Sequence, residues 1–294
     1  MSDQRPVVGH IRFSFYGLTD TRLRPDPDGA ALARLYDETR IARRFHLFET
    51  LTLPSLRAQT DRNFSLVVLS SDLMHDRFKD RLVRLMQPFP RAVVDFSAER
   101  EGRLALKPHM ERFAAASPTG MALHFRLDDD DAVASTYVRR LRLFSAGRRP
   151  GTHVTFPTGI LLFPAAAGSG LGLAKVIRVF LTGAGLAVIS GPKHPKNPFE
   201  MQHLRVWQTA PVASDPEIPA YIRSFHFDND TVLRHNRILR QMREDCTGPE
   251  AATFAAEVDR ALARGFPFID RARLTGLVGE LAAIRSLDDL PPPP

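Results

Sequence analysis

The chain has one cysteine, Cys246, among 294 residues. A single thiol excludes an internal disulfide framework and any cysteine-rich zinc site. No apolar run reaches the length that crosses a bilayer. The opening Met1-Ser-Asp-Gln-Arg-Pro6 has no apolar core of the signal-peptide kind. Glycine-rich phosphate loops of the P-loop or dinucleotide type are missing, so any nucleotide phosphate has to be held by metal and basic side chains. There is no internal repeat, no zinc-finger or helix-turn-helix signature, and no basic run interleaved with aromatics. Nucleic acid is therefore not an expected partner, and the expected location is the cytoplasm, including the inner face of the membrane.

What is present is an ordinary globular composition, 44% hydrophobic and 25% charged, long enough for a sizeable core. The net charge of +7 suits an anionic ligand such as a nucleotide diphosphate, or peripheral association with an acidic membrane face. Arg139, Arg140, Arg142, Arg148 and Arg149 form the densest basic patch, for which a solvated helix face is the simpler reading.

Strand and helix patterns alternate through the first half. Val7 to Phe15 reads as a strand, and Ile41, Phe45 and Phe48 mark one face of a helix that Pro54 ends or bends. Phe64 to Leu69 is a nearly all-apolar strand, as a sheet covered on both faces requires. A helix over His75–Gln87, a strand over Ala92–Phe96, a helix over Pro108–Ala116 and a fourth strand complete the series. This alternation predicts an α/β fold with a mainly parallel central sheet flanked by helices, with ligands bound beyond the carboxyl ends of the strands. After Pro150 the regularity drops. Val154–Phe163 holds two short strands around Pro157 and Gly159, Gly185–Ser190 holds another, and residues 191–219 read as an active-site loop region. From Thr231 the pattern is helical, with Ala255, Val258 and Leu262 on one face. The expected division is a catalytic domain over 1–230 and a helical extension over 231–294, ending in a disordered tail, Pro291–Pro294.

The chain is organised around His124-Phe-Arg-Leu-Asp128-Asp129-Asp130-Asp131-Ala132. Neighbouring carboxylates repel by roughly 4 kcal/mol per pair at 4 Å with an effective dielectric near 20. A divalent cation, Mg²⁺ or Mn²⁺, would offset that, since both take oxygen ligands. In extended chain Asp128 and Asp130 face the same side and would point into one cleft. The plainer reading is that the acids only start the next helix, although four are more than capping needs. Tyr221 to Asp230 is a second polar constellation. Alternation there turns Phe225 and Phe227 one way and His226 and Asp228 the other, leaving His226 able to complete a metal shell.

Two stretches carry a family resemblance: Phe48-Glu-Thr-Leu-Thr-Leu-Pro-Ser-Leu-Arg-Ala-Gln59 leading into the second strand, and Arg126-Leu-Asp-Asp-Asp-Asp-Ala132. Both resemble GT-A glycosyltransferases, and more narrowly the bacterial rhamnosyltransferase family, over roughly residues 7–235. The resemblance implies a GT-A-like fold and transfer of a sugar, with rhamnose the leading candidate, from a nucleotide diphosphate donor to a glycan or other hydroxyl acceptor. It sets Asp128 toward the nucleotide ribose, with Arg126 beside it in the substrate site, and gives Asp130 to the metal with Asp131 in support. It makes His226 the late histidine ligand. Asp72 falls where an acid meets the nucleotide base, or else caps a helix, and Asn229 and Asp230 hold phosphate or sugar, or form a turn. The string Gln-x-x-Arg-Trp of inverting family 2 enzymes is missing; His203-Leu-Arg-Val-Trp207 is a poor stand-in. Glu200 and Asp215 are the candidate catalytic bases, and His194 and His203 share the same loop. The alternatives are a metal-dependent nucleotidyltransferase or phosphoesterase, and a basic binding protein without catalysis.

Overall fold

A computed structural model describes residues 5–17, 29–166, 169–193, 195–200, 203–226 and 236–293. The strands are β1 (Val7–Arg12), β2 (Ser65–Ser71), β3 (Ala92–Ser97), β4 (Ala122–Asp128), β5 (Ala132–Val133), β6 (His153–Thr155), β7 (Thr158–Pro164), β8 (Gly172–Arg178), β9 (Ala187–Ser190), β10 (Val212–Ser214) and β11 (Tyr221–Ser224). They form a seven-stranded sheet in the order β10-β6-β9-β4-β1-β2-β3 and a four-stranded sheet in the order β5-β11-β7-β8. In the large sheet β1, β2, β3 and β4 pair in parallel and β9 runs against its two neighbours. The expected mainly parallel α/β architecture is the observed one.

The helices are α1 (Ala30–Leu35), α2 (Glu38–Leu47), α3 (Leu53–Arg57), α4 (Asp76–Met86), α5 (Gly102–Ala115), α6 (Tyr137–Ser145), α7 (Asn236–Thr247), α8 (Ala251–Gly265) and α9 (Arg271–Ala283). Asp37 caps α2 by accepting from the Arg40 N–H at 3.0 Å. The helix does not end at Pro54. A π turn, Phe48–Thr52, widens the coil just before the proline, and α3 carries on to Arg57. The wider turn accommodates a residue that lacks the N–H of a regular helix.

The central strands β2 and β4 are buried on both faces, which explains the apolar run Leu66–Leu69 in β2, while β4 also buries His124 and Arg126. On one face Ile41, Phe45, Phe78, Leu82, Val138 and Leu141 of α2, α4 and α6 pack on Ile11, Val68 and Phe125. On the other, Ala105, Leu106 and Phe113 of α5 cover Val8, Val67 and Leu69. Gly9 permits the close packing of β1, because a Cβ there would meet Phe125 Cζ at 2.5 Å.

Helices α8 and α9 pack Val258, Leu262, Leu274 and Leu277 against Ile160, Leu162 and Ile222 of the small sheet, and against Leu47 and Leu51. The C-terminal helices thus share a core with the strands that carry the second polar constellation. The start of the proline tail is held: Arg81 Nη2 donates to the Pro291 carbonyl at 2.7 Å. Strands β5, β8 and β10 lie in stretches whose sequence shows no clear strand pattern.

Candidate active site

Strands β1 and β4 lie side by side with Arg12 level with Asp128, so both end at one rim. Beyond Asp128 the chain turns, the Asp131 N–H donating to the Asp128 carbonyl at 3.2 Å. Strand alternation stops there. Asp128 and Asp130, expected to point the same way, instead engage different partners. Nor do the acids start a helix: α6 begins at Tyr137, with Thr136 at its N-cap and no acid in its first turn.

Asp128 is the partly exposed member of the string, and two arginines hold it. Arg12 Nη2 lies 3.3 Å from Oδ1 and Arg126 Nη2 lies 3.5 Å from Oδ2. Both guanidiniums also pack on Phe199, with Cζ 4.3 and 4.5 Å from the ring centroid. Such cation–π contacts strengthen as water is excluded, and Arg126 is almost wholly buried. Phe199 thereby brings the loop that carries Glu200 to the Asp128 rim.

The other three acids are buried, and a polar cage surrounds them. Arg44 Nη1 donates to Asp129 Oδ1 at 2.8 Å and lies 2.7 Å from Asp130 Oδ2. The Ser14 N–H donates to Asp129 Oδ2 at 3.1 Å, and the Ser224 N–H to Asp131 Oδ1 at 3.0 Å. Thr52, in the π turn, donates to the Asp131 carbonyl at 2.8 Å and to the Asp129 carbonyl at 3.1 Å. His226 Nε2 sits 2.9 Å from Asp130 Oδ2. Ser14 is held at φ 45°, among the described residues the one non-glycine in the left-handed region. Strain of this kind concentrates at functional sites.

Burial dominates the titration of the string. Desolvation, with Asp130 nearby, pushes Asp129 up to about 6 despite Arg44. Desolvation and the charges of Asp130 and Asp128 raise Asp131 well above the usual carboxylate range. Burial would raise Asp130 too, but Arg44 and the His226 hydrogen bond hold it well below. Three buried carboxylates lie together, with Arg44 against two of them and Arg40 and Arg223 acting on them as well, and their mutual repulsion is the cost of that arrangement. Protons relieve it, or a cation does.

Asp130 and His226 are donors whose chemistry suits a divalent cation, and Asp130 Oδ2 also lies 2.7 Å from Arg44 Nη1. Two ligand atoms at right angles on a cation with bonds of about 2.1 Å lie about 3 Å apart, and Asp130 Oδ2 and His226 Nε2 are 2.9 Å apart. A carboxylate with an imidazole suits Mn²⁺. Among the described residues no group of three His, Cys, Asp or Glu assembles into a ligand set, so remaining ligands would come from substrate oxygens and water.

Of the other candidates, Asp72 does not cap α4, whose N-cap is His75; it pairs with Arg100 Nη2 at 2.9 Å and accepts from Ser71 Oγ at 3.1 Å. Asp215 pairs with Arg140 and accepts from the Glu217 N–H, a turn in which its carboxylate is fully engaged. Glu200 Oε2 is buried and among the described residues has no hydrogen-bond partner, with Lys196 Nζ 3.9 Å away. His203 opens a 3₁₀ turn, His203–Gln208. Asn229, Asp228, Asp230 and His194 lie outside the described residues.

Several site residues escaped sequence reasoning: Arg44, Arg12, Ser14, Thr52 and Phe199. Arg44 had a legible signal, a charge set within the apolar stripe Ile41, Phe45, Phe48. The family-like Ser55 and Gln59 act through backbone. Ser55 Oγ accepts from the Val133 N–H at 3.3 Å. Gln59 donates to the Ala134 carbonyl at 2.8 Å and accepts from the Val138 N–H at 3.0 Å. Together they fix the chain just after the acids.

No curated protein matches the chain. Among solved structures, S. aureus TarS 1-349 in complex with UDP-GlcNAc aligns at 8% identity and a TM-score of 0.40, covering 88% of this chain and 73% of that one. The same fragment with UDP aligns at 10% identity and a TM-score of 0.37, covering 88% and 72%. The apo WbbM bifunctional glycosyltransferase aligns at 12% identity and a TM-score of 0.27, covering 53% and 23%. The family described as "Putative rhamnosyl transferase" matches residues 6–238. That match runs from β1 into α7 and takes in both sheets, the acid string and His226, so the chain belongs to this family and is a glycosyltransferase.

Proposed function

We propose that the protein transfers a sugar, with rhamnose the candidate, from a nucleoside diphosphate donor to an acceptor hydroxyl with the help of a divalent cation. The observation that carries this reading is the buried acid string with His226 against Asp130. Asp130 and His226 would hold the cation, with Asp131 behind them. A cation there supplies charge stabilisation for the departing diphosphate. Asp128, partly exposed and steadied by Arg12 and Arg126, faces the donor ribose as a hydrogen-bond acceptor. Asp72 stands with Arg100 at the end of β2, toward the base. Arg44 keeps the string folded before a cation binds.

Glu200 is the better candidate for the base that takes the acceptor proton. One of its oxygens is buried with no hydrogen-bond partner among the described residues, whereas Asp215 is committed to Arg140. A buried acceptor with no partner has a lone pair available for a hydroxyl proton. The test is calorimetry with thymidine and uridine diphosphates and their sugars, with and without Mn²⁺. Metal-dependent binding is expected, and Asp130→Ala should abolish it while the variant stays folded. Binding that ignores Mn²⁺, or persists in that variant, would remove the cation from the reading. Protection by purine nucleotides alone would remove the donor assignment.

A further inference from the structure

The active site does not account for where the chain keeps its positive charge. Between Ala132 and Ser214 stand ten lysines and arginines against one acid, Glu200, three of them, Arg140, Arg142 and Lys175, paired with acids outside the stretch. This surplus exceeds the +7 of the whole chain, so the remainder is net acidic. The same stretch carries most of the exposed large apolar side chains of the described residues, among them Phe180 (54% exposed), Leu204 (61%) and Trp207 (58%).

These three are gathered around one small buried cluster. Val206 of the 3₁₀ turn packs inward against Leu181 and Leu186. Its neighbours Leu204, Arg205 and Trp207 are turned outward. Phe180 precedes Leu181, and its carbonyl is pinned by Thr155 Oγ1 at 3.0 Å at the end of β6. Arg178, two residues earlier, is exposed as well. The apolar side chains are thus held toward solvent by anchored backbone, with the exposed Arg178 and Arg205 as their neighbours in sequence.

Aromatic and aliphatic side chains interleaved with arginine suit the headgroup layer of a bilayer. Rings settle at the boundary with the acyl chains, while guanidiniums meet lipid phosphates. A neutral glycan would use the tryptophan but not the charge. Among the described residues no helix is long and apolar enough to cross a membrane, so the contact is one of lying on the surface. We infer that the face formed by Phe180, Leu204 and Trp207 with Arg178 and Arg205 seats the protein on an anionic lipid bilayer. The inference uses no residue assigned to donor or cation, so it stands or falls separately from the transfer reading.

Trp207 is the only tryptophan of the chain, so its emission reports on this face alone. The full chain is titrated with phosphatidylcholine vesicles with and without phosphatidylglycerol, some carrying brominated acyl chains. Anionic vesicles should shift the emission to the blue and the brominated lipid should quench it. Added salt should reverse the binding. Phe180→Ser with Leu204→Ser should weaken co-sedimentation at least tenfold, with unchanged circular dichroism and unchanged nucleotide binding. Arg178→Gln with Arg205→Gln should weaken it and flatten its salt dependence. Emission unmoved by anionic vesicles, equal binding to neutral ones, or full binding by the serine variant would overturn the inference. So would a concentration-dependent dimer that covers Trp207 while vesicles leave it unchanged, which would give the face to a second copy of the chain.

Discussion

Arg44 is the side chain whose removal should be felt most. Its Nη1 stands 2.8 Å from Asp129 Oδ1 and 2.7 Å from Asp130 Oδ2, and all three residues are buried. At an effective dielectric near 20, charges about 4 Å apart attract by roughly 4 kcal/mol per pair, from which desolvation subtracts a large share. Deleting one partner leaves the other charge stranded, which costs about 3–5 kcal/mol, a large fraction of a domain's stability. Arg44→Met keeps most of the stem and removes the guanidinium, and should lose that amount in urea unfolding followed by far-ultraviolet circular dichroism. Asp129→Asn alone should cost about 1 kcal/mol or less, because an amide oxygen still accepts from the Ser14 N–H. Combined with Arg44→Met it should recover roughly half of the loss, a coupling that neighbouring charges require. Mn²⁺ should restore the arginine variant more than it stabilises the native chain. If Arg44→Met costs less than about 1 kcal/mol, or Asp129→Asn rescues nothing, the guanidinium is not the counter-charge of the string.

Two further outcomes rest on buried polar groups. His10 Nε2 and His124 Nδ1 lie 2.8 Å apart inside the large sheet. Burial holds His124 at about 3 and, with His124 beside it, His10 well below its ordinary range. Both stay neutral in the fold, while the unfolded chain protonates them near pH 6.5. Stability is therefore intact above that pH and falls as pH drops from 6.5 toward the folded values, by up to about 1.4 kcal/mol per pH unit for each histidine. His10→Leu with His124→Leu should flatten this acid limb in urea midpoints; an unchanged slope would assign it to other groups. Gln59→Ala removes hydrogen bonds to the Ser55 and Ala134 carbonyls and from the Val138 N–H. It should cost about 2–4 kcal/mol and loosen the chain after the acids, read as faster amide exchange at Val138. A loss under about 0.5 kcal/mol would show that the glutamine is not the tie between α3 and α6.

The parts of this molecule that sequence made legible are those set by local periodicity. Strand β2 could be read because burial on both faces writes an unbroken apolar run, Leu66–Leu69. Pro54 left open whether the helix ends or bends, and the π turn that lets it run on to Arg57 leaves no mark in composition. Strand β5 has two residues, too short for any alternation to declare itself. The site shows the same boundary between local and nonlocal information. The acid string announced itself by charge density. Its geometry did not, because a turn at Asp128 is decided by backbone partners far away in sequence: Thr52 holds the carbonyls, Ser224 holds Asp131, and Ser55 and Gln59 hold Val133 and Ala134. His226 came within reach of Asp130 through the pairing of β11 with β5, a contact across 96 residues. Arg44 was visible only as an anomaly, a charge within an apolar stripe. Such an anomaly says that a buried partner exists but not which one. Asp129 and Asp130 of the four adjacent acids are that partner, and the two irregularities are one interaction seen from its two ends. A charge that interrupts a buried stripe and a run of acids that outnumbers its neighbouring arginine can be matched on electrostatic need before any contact is known.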